Sequence, residues 1–99
     1  MAVVARVVLS GLTKEQYDAV REEAGWLKEP PVGGLSHMTW WEGEDCHNAD
    51  SWESEEAFAA FGAERLGPAM AKLGIEAELQ VTFHPAHEVY LPQPLTFTA

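Results

Sequence analysis

Leu35-Ser36-His37-Met38-Thr39-Trp40-Trp41-Glu42-Gly43-Glu44-Asp45-Cys46-His47-Asn48-Ala49-Asp50-Ser51-Trp52 is the stretch whose reading decides the fold. Leu35, His37, Thr39 and Trp41 alternate with Ser36, Met38 and Trp40, which is the period of a strand over 35–41. Glu42-Gly43-Glu44-Asp45 is a polar, glycine-bearing turn and predicts a hairpin. In the return strand, 46–52, Cys46, Asn48, Asp50 and Trp52 share one face, and His47, Ala49 and Ser51 share the other. Asn and Asp are poor strand formers, so position after the turn, more than composition, makes this segment a strand.

Working outward, Val3 to Leu9 is rich in β-branched residues and stops at Ser10-Gly11, a first strand with apolar residues on both faces. Thr13 with Gln16 three residues on forms a capping box. Tyr17, Val20 and Ala24 then mark one face of a helix over 14–24 that ends at Gly25. Residues 26–34, with Pro30-Pro31 and Gly33-Gly34, read as a loop. On the far side of the hairpin, Ser54 caps a second helix, with Glu55 and Glu56 in its first turn. Ala57, Phe58, Phe61 and Leu66 form its apolar stripe, and Gly67-Pro68 is expected to break it. One more helical turn over 69–73 precedes a last strand over 75–83, in which Ala77, Leu79, Val81 and Phe83 share a face. Residues from Pro85 on, with Pro92 and Pro94, read as an extended tail.

The order is β-α-β-β-α-β, the α+β ferredoxin-like split unit, a four-stranded antiparallel sheet with both helices on one face. The other face is left bare although it carries apolar residues, and a second copy of the chain is the simplest cover. The chain is read as one domain over 1–90 with a tail over 91–99.

Six Lys and Arg against 16 Asp and Glu give a net charge of −10 in 99 residues. That balance argues against nucleic acid and against an anionic membrane surface as partners. The single cysteine, Cys46, rules out an intrachain disulfide. With no signal segment and no run of about 20 apolar residues, a cytoplasmic location is expected. Glycine-rich phosphate loops, Gly-x-Ser-x-Gly elbows and Cys-x-x-Cys pairs are absent from the sequence.

The chain resembles the dimeric α/β-barrel superfamily, which includes the antibiotic-biosynthesis-monooxygenase-like proteins, over roughly residues 3–90. Three segments carry the resemblance: Gly11-Leu12-Thr13-Lys14-Glu15-Gln16-Tyr17-Asp18, Gly34-Leu35-Ser36-His37, and Asp50-Ser51-Trp52-Glu53-Ser54-Glu55-Glu56-Ala57-Phe58. It implies two sheets packed face to face across a twofold axis, with a small cavity between each sheet and its helices. It also implies a range of activities, from cofactor-free oxygenation, cyclisation and isomerisation to haem binding. Fold alone does not choose among them.

His37 and Asp50 are the candidate catalytic pair. A mid-strand imidazole among apolar neighbours is read as a general base, as a haem ligand or as a hydrogen-bonded core residue. Asp50, on the neighbouring strand, would orient it or act as a base itself; the alternative is a structural carboxylate. Trp26, Trp41 and Trp52 are candidate walls of an aromatic pocket, against the plainer reading of core or interface residues. Trp40 and Trp41 point to opposite faces. His87 is a candidate because, by the resemblance, the last strand leads to a polar residue near the cavity mouth. His84 and His87 flank Pro85-Ala86, so a metal site from this pair, with His47 or Cys46, is disfavoured against a plain strand end, and no metal is expected. Cys46 and His47 are adjacent in a strand and do not meet. The leading expectation is a homodimer that binds a hydrophobic or aromatic small molecule without a cofactor, as a monooxygenase, cyclase or isomerase. The alternatives are a haem protein with His37 or His87 as axial ligand, and a non-enzymatic interaction module with its cavity packed shut.

Overall fold

The structure, a computed structural model, describes residues 1–93 and 96–98. Strands β1 (Val3–Ser10), β2 (Gly34–Glu42), β3 (Asp45–Trp52) and β4 (Glu78–Pro85) form one antiparallel sheet in the order β2-β3-β1-β4. Helix α1 (Lys14–Ala24) joins β1 to β2. Between β3 and β4 run α2 (Glu55–Phe61), a π-helical segment (Gly62–Leu66) and α3 (Gly67–Lys72). This is the β-α-β-β-α-β order expected from the sequence.

Local chemistry sets each boundary of α1. Thr13 Oγ1 accepts from the Gln16 amide at 3.1 Å while Gln16 Oε1 accepts from the Thr13 amide at 3.0 Å, closing the capping box. At the other end Gly25 takes the left-handed conformation, φ +68°, and its amide donates to Arg21. The hairpin closes through Gly43-Glu44, with Gly43 at φ +63°, so Glu42 pairs with Asp45 and every later pair follows: Trp41 with Cys46, Trp40 with His47, His37 with Asp50. A bulge between Gly34 and Ser36 ends this register.

The sheet is one-sided. Val3, Ala5, Val7 and Leu9 of β1, with Cys46 and Trp52 of β3, are buried with Leu12 and Tyr17 in a single core. On the opposite face Val4 and Val8 are half-buried, Met38 is 63% exposed, and Trp40 lies between His47 and Arg6.

Three expectations are corrected. Gly67-Pro68 does not break the helix. The Gly67 amide donates to Gly62 across a wider π turn, and Pro68, which has no amide to donate, follows at the start of α3. The last strand runs over Glu78–Pro85 rather than 75–83, and its pairing with β1 extends through Pro85 to the Ala86 amide, which donates to Ala2 at 2.9 Å. Pro85 therefore belongs to the sheet edge, where a missing N–H is tolerated, and not to the tail. Of the tail expected over 91–99, Pro94, Leu95 and Ala99 lie outside the described residues.

The π turn makes the two glycines that bracket it unequal. A Cβ on Gly67 would stand 2.9 Å from the Gly62 carbonyl, whereas one on Gly62 meets nothing within 4 Å. Gly67→Ala should cost about 1–3 kcal/mol, and Gly62→Ala should add up to about 1 kcal/mol of stability. Urea unfolding of the two variants measures both signs.

Candidate functional site

Register brings His37 and Asp50 face to face on the helix side of the sheet. His37 Nδ1 lies 2.6 Å from Asp50 Oδ1, and the other carboxylate oxygen accepts from Trp52 Nε1 at 3.4 Å. Tyr17, one turn into α1, brings its hydroxyl to 2.7 Å from His37 Nε2. The result is a hydrogen-bonded line Tyr17–His37–Asp50–Trp52 running from helix to sheet. The Asp50 side chain is 10% exposed, the His37 side chain 33%. The imidazole is thus a partly open group rather than a buried one, because β2 is an edge strand of the sheet.

Proton positions follow from the partners. A carboxylate only accepts, so Nδ1 carries the imidazole proton and donates it to Asp50. Burial, with the nearby Cys46 thiol adding to it, pushes the Tyr17 phenol well above its ordinary value near 10. Tyr17 therefore keeps its hydroxyl proton, and in the neutral imidazole with Nδ1–H on Asp50, Nε2 accepts from it. Cys46 is fully buried, and burial raises its thiol in the same direction.

Three of the four tryptophans sit on this side. Trp26 meets the imidazole and the Tyr17 ring edge-on at 5.6 and 5.7 Å. Trp41 stands edge-on to Tyr17 at 5.7 Å and donates to the Leu12 carbonyl at 2.8 Å. Trp52 packs on Phe58 and Phe61. Trp40 is on the other face. His87 is exposed beyond β4 and contributes no hydrogen bond or ring contact to this group among the described residues. Tyr17 was not among the candidates read from the sequence. Its place on the stripe with Val20 and Ala24 marks it as core, and only the capping box hints at its orientation, by fixing where α1 starts.

Among the described residues, two open surface depressions stand out. One, of about 310 Å³, is lined by Leu12, Lys14, Trp41 and the glycines 11 and 43. The other, of about 250 Å³, lies between α1 and α3 at Glu23, Arg65 and Lys72. Neither is lined by His37. Among the described residues no group of three or more His, Cys, Asp or Glu side chains is placed to hold a metal ion. The Asp50 contact at Nδ1 is the kind a metal-bound imidazole makes, and Nε2, the nitrogen left for a haem iron, is taken by the Tyr17 hydroxyl.

Solved structures share this fold. SnoaB, a cofactor-independent oxygenase from Streptomyces nogalater, superposes with a TM-score of 0.59 at 18% identity, over 93% of this chain and 96% of that one. Rv0793 from Mycobacterium tuberculosis gives 0.66 at 13% identity, over 91% and 100% of the two chains. An antibiotic-biosynthesis-monooxygenase-like protein from Deinococcus radiodurans gives 0.60 at 16% identity, over 93% and 99%. The fold is that of the antibiotic-biosynthesis-monooxygenase-like proteins. Identities this low make the likeness one of ABM-like fold and not of activity. No protein-family model and no curated protein matches the sequence.

The raised phenol predicts a pH dependence with a definite sign. The folded chain holds the Tyr17 proton more tightly than the unfolded chain does. Its contribution is complete below pH 10, and stability falls as pH climbs past that value, by at most about 1.4 kcal/mol per pH unit. Cys46 adds a similar fall starting near pH 9. Chemical unfolding between pH 8 and 12 in a Cys46→Ala background should show the Tyr17 slope, and Tyr17→Phe should flatten it.

Proposed function

We propose that the chain is a homodimeric protein of ABM-like fold that binds a hydrophobic, aromatic small molecule and acts on it by proton transfer, without a cofactor. Residues 1–90 are its working domain and 91–99 a tail, and its location is cytoplasmic. The observation that carries the reading is the Tyr17–His37–Asp50 line with a third of the imidazole exposed. Asp50 holds the tautomer in which Nε2 keeps its lone pair, facing the Tyr17 hydroxyl, which is the requirement for a general base once that hydroxyl yields or relays a proton. An acidic hydroxyl of a bound phenol or enol would take the place of Tyr17 at Nε2, or pass its proton through the Tyr17 hydroxyl. The proton goes to Nε2, and the imidazolium is held by the Asp50 carboxylate. What remains on the substrate is an electron-rich anion, the species from which oxygenation by O₂, cyclisation or isomerisation can start. The cofactor-independent oxygenase among the structural neighbours favours oxygenation. Trp26 and Trp41 would flank the ring system.

A second reading has its own support. Both imidazole nitrogens are already paired, and neither depression described above is lined by His37. Those facts favour a non-enzymatic module with its interior packed shut.

Titration with a flat polycyclic phenol such as 1-naphthol, followed by tryptophan quenching and by O₂ uptake, separates the two readings. On the catalytic reading, the wild type binds, and His37→Ala and Asp50→Asn turn over about 100-fold more slowly or worse. Equal behaviour of all three proteins would remove His37 and Asp50 from the site.

The bare sheet face supplies the reason for pairing. Met38, Trp40, Val4 and Val8 offer apolar area that a second copy would cover. Sedimentation should find two 10.9 kDa chains per particle, and Met38→Asp combined with Trp40→Glu should yield single chains that remain folded.

A further inference from the structure

The π-helical segment has a position that its sequence does not account for. Helices α2 and α3 run on through it, and the wide turn is held by a bond from the Gly67 amide to the Gly62 carbonyl, at a point where residue 67 has no room for a Cβ. Two glycines in a helix interior are a cost to stability. A π turn carries one residue more than an α turn, so it resets which side chains face α1. Arg65, inside the turn, is the residue that gains from it. Its Nη2 donates to the Ala24 carbonyl at 2.7 Å, and its guanidinium lies 5.2 Å from the centre of the Phe61 ring. Ala24 is the last residue of α1, where the helix dipole favours a cation. Directly after it come Gly25 and Trp26.

Phe61 in turn meets Trp26 edge-on at 6.3 Å, and Trp26 meets His37 at 5.6 Å. Arg65 therefore touches this aromatic chain at Phe61 and at the backbone two residues before Trp26. Through the Ala24 carbonyl it fixes the backbone from which Trp26 hangs, and through Phe61 it backs the indole that covers the imidazole. We infer that Arg65 is a positioning residue for His37, acting through Phe61 and Trp26, and that the π turn exists to aim it. The importance of that position for function rests on the proton-transfer reading above; the positioning itself does not.

A second link between the same helices serves as control. Lys72 of α3 pairs with Glu23 of α1 at 3.2 Å without touching the aromatic chain. The experiment is NMR of the histidine ring protons of the ligand-free protein, in which the edge-on indole imposes a ring-current shift on His37 Hδ2 and Hε1. Arg65→Met should lose that shift, and Arg65→Lys, which restores a cationic donor near the α1 terminus, should recover part of it. Phe61→Leu should lose it with the Arg65–Ala24 bond intact, and Lys72→Ala should leave it unchanged. Should Arg65→Met fail to fold, Phe61→Leu and Arg65→Lys decide the matter alone. Unchanged His37 signals in Arg65→Met or in Phe61→Leu would overturn the inference, as would an equal displacement in Lys72→Ala. O₂ uptake with 1-naphthol by Arg65→Met is read in parallel. If the His37 signals move while turnover stays at the wild-type rate, positioning by Arg65 holds and the proton-transfer reading fails.

Discussion

Everything at the candidate site depends on the register of the central hairpin. Pairing in a two-stranded ribbon is set at its turn, and each step along it carries a side chain to the opposite face. With Glu42 opposite Asp45, His37 falls opposite Asp50 and both point toward the helices. A slip of one residue would set His37 against Ser51 or Ala49, whose side chains point to the bare face, and Asp50 would be buried without the imidazole. The turn is short and has Gly43 where a positive φ is required. The bulge at the far end, between Gly34 and Ser36, absorbs the mismatch with the loop after α1 without disturbing the pair.

The same register divides the aromatic residues between two environments. Trp41 and Trp52 go to the core side with Cys46 and Asp50, and Trp40 goes to the other side with His47. On the core side, indole and phenol donors answer acceptors that burial would otherwise leave stranded. Trp41 serves the Leu12 carbonyl, Trp52 serves Asp50, and Tyr17 serves His37. On the bare face Trp40 finds Glu42, while the buried His47 Nδ1 has no hydrogen-bond partner, with the Glu42 carboxylate 3.5 Å away. Core polar groups are satisfied within the chain, and the face that a partner would cover is the one left incomplete.

How much of this was legible follows the same division. Local signals read well where one rule acted alone: Thr13 with Gln16 opened α1, Gly25 closed it, and alternation in 35–41 and 46–52 set His37 and Asp50 on matching faces. Where two rules competed, the sequence misled. Gly67-Pro68 looks like a helix breaker because proline forfeits an amide and glycine has low helix propensity. The π turn uses both properties, since glycine admits the close carbonyl and the proline sits where a helix start tolerates it. Ile75 and Ala77 continue the alternation of Leu79, Val81 and Phe83, so periodicity alone starts the last strand early. Backbone pairing begins only at Glu78, opposite Ser10. Tyr17 was hidden for a different reason: a tyrosine at core spacing looks the same whether its hydroxyl is idle or bonded, and its partner lies 20 residues away in another element.

That hidden tyrosine changes how the histidine is to be understood. His37 and Asp50 alone would be a pair in which the imidazole is free to turn or to be protonated from solvent. A neutral phenol at Nε2 and a carboxylate at Nδ1 together fix one tautomer and one ring orientation. Burial of Tyr17 matters here, because a phenol that ionised readily would compete with Asp50 for the imidazole proton and erase the polarity of the line. With Tyr17 protonated and the imidazole neutral, the line runs from hydroxyl to imidazole to carboxylate. A group arriving from the exposed third of the ring meets an imidazole with both nitrogens paired, and reaches Nε2 only by displacing the Tyr17 hydroxyl.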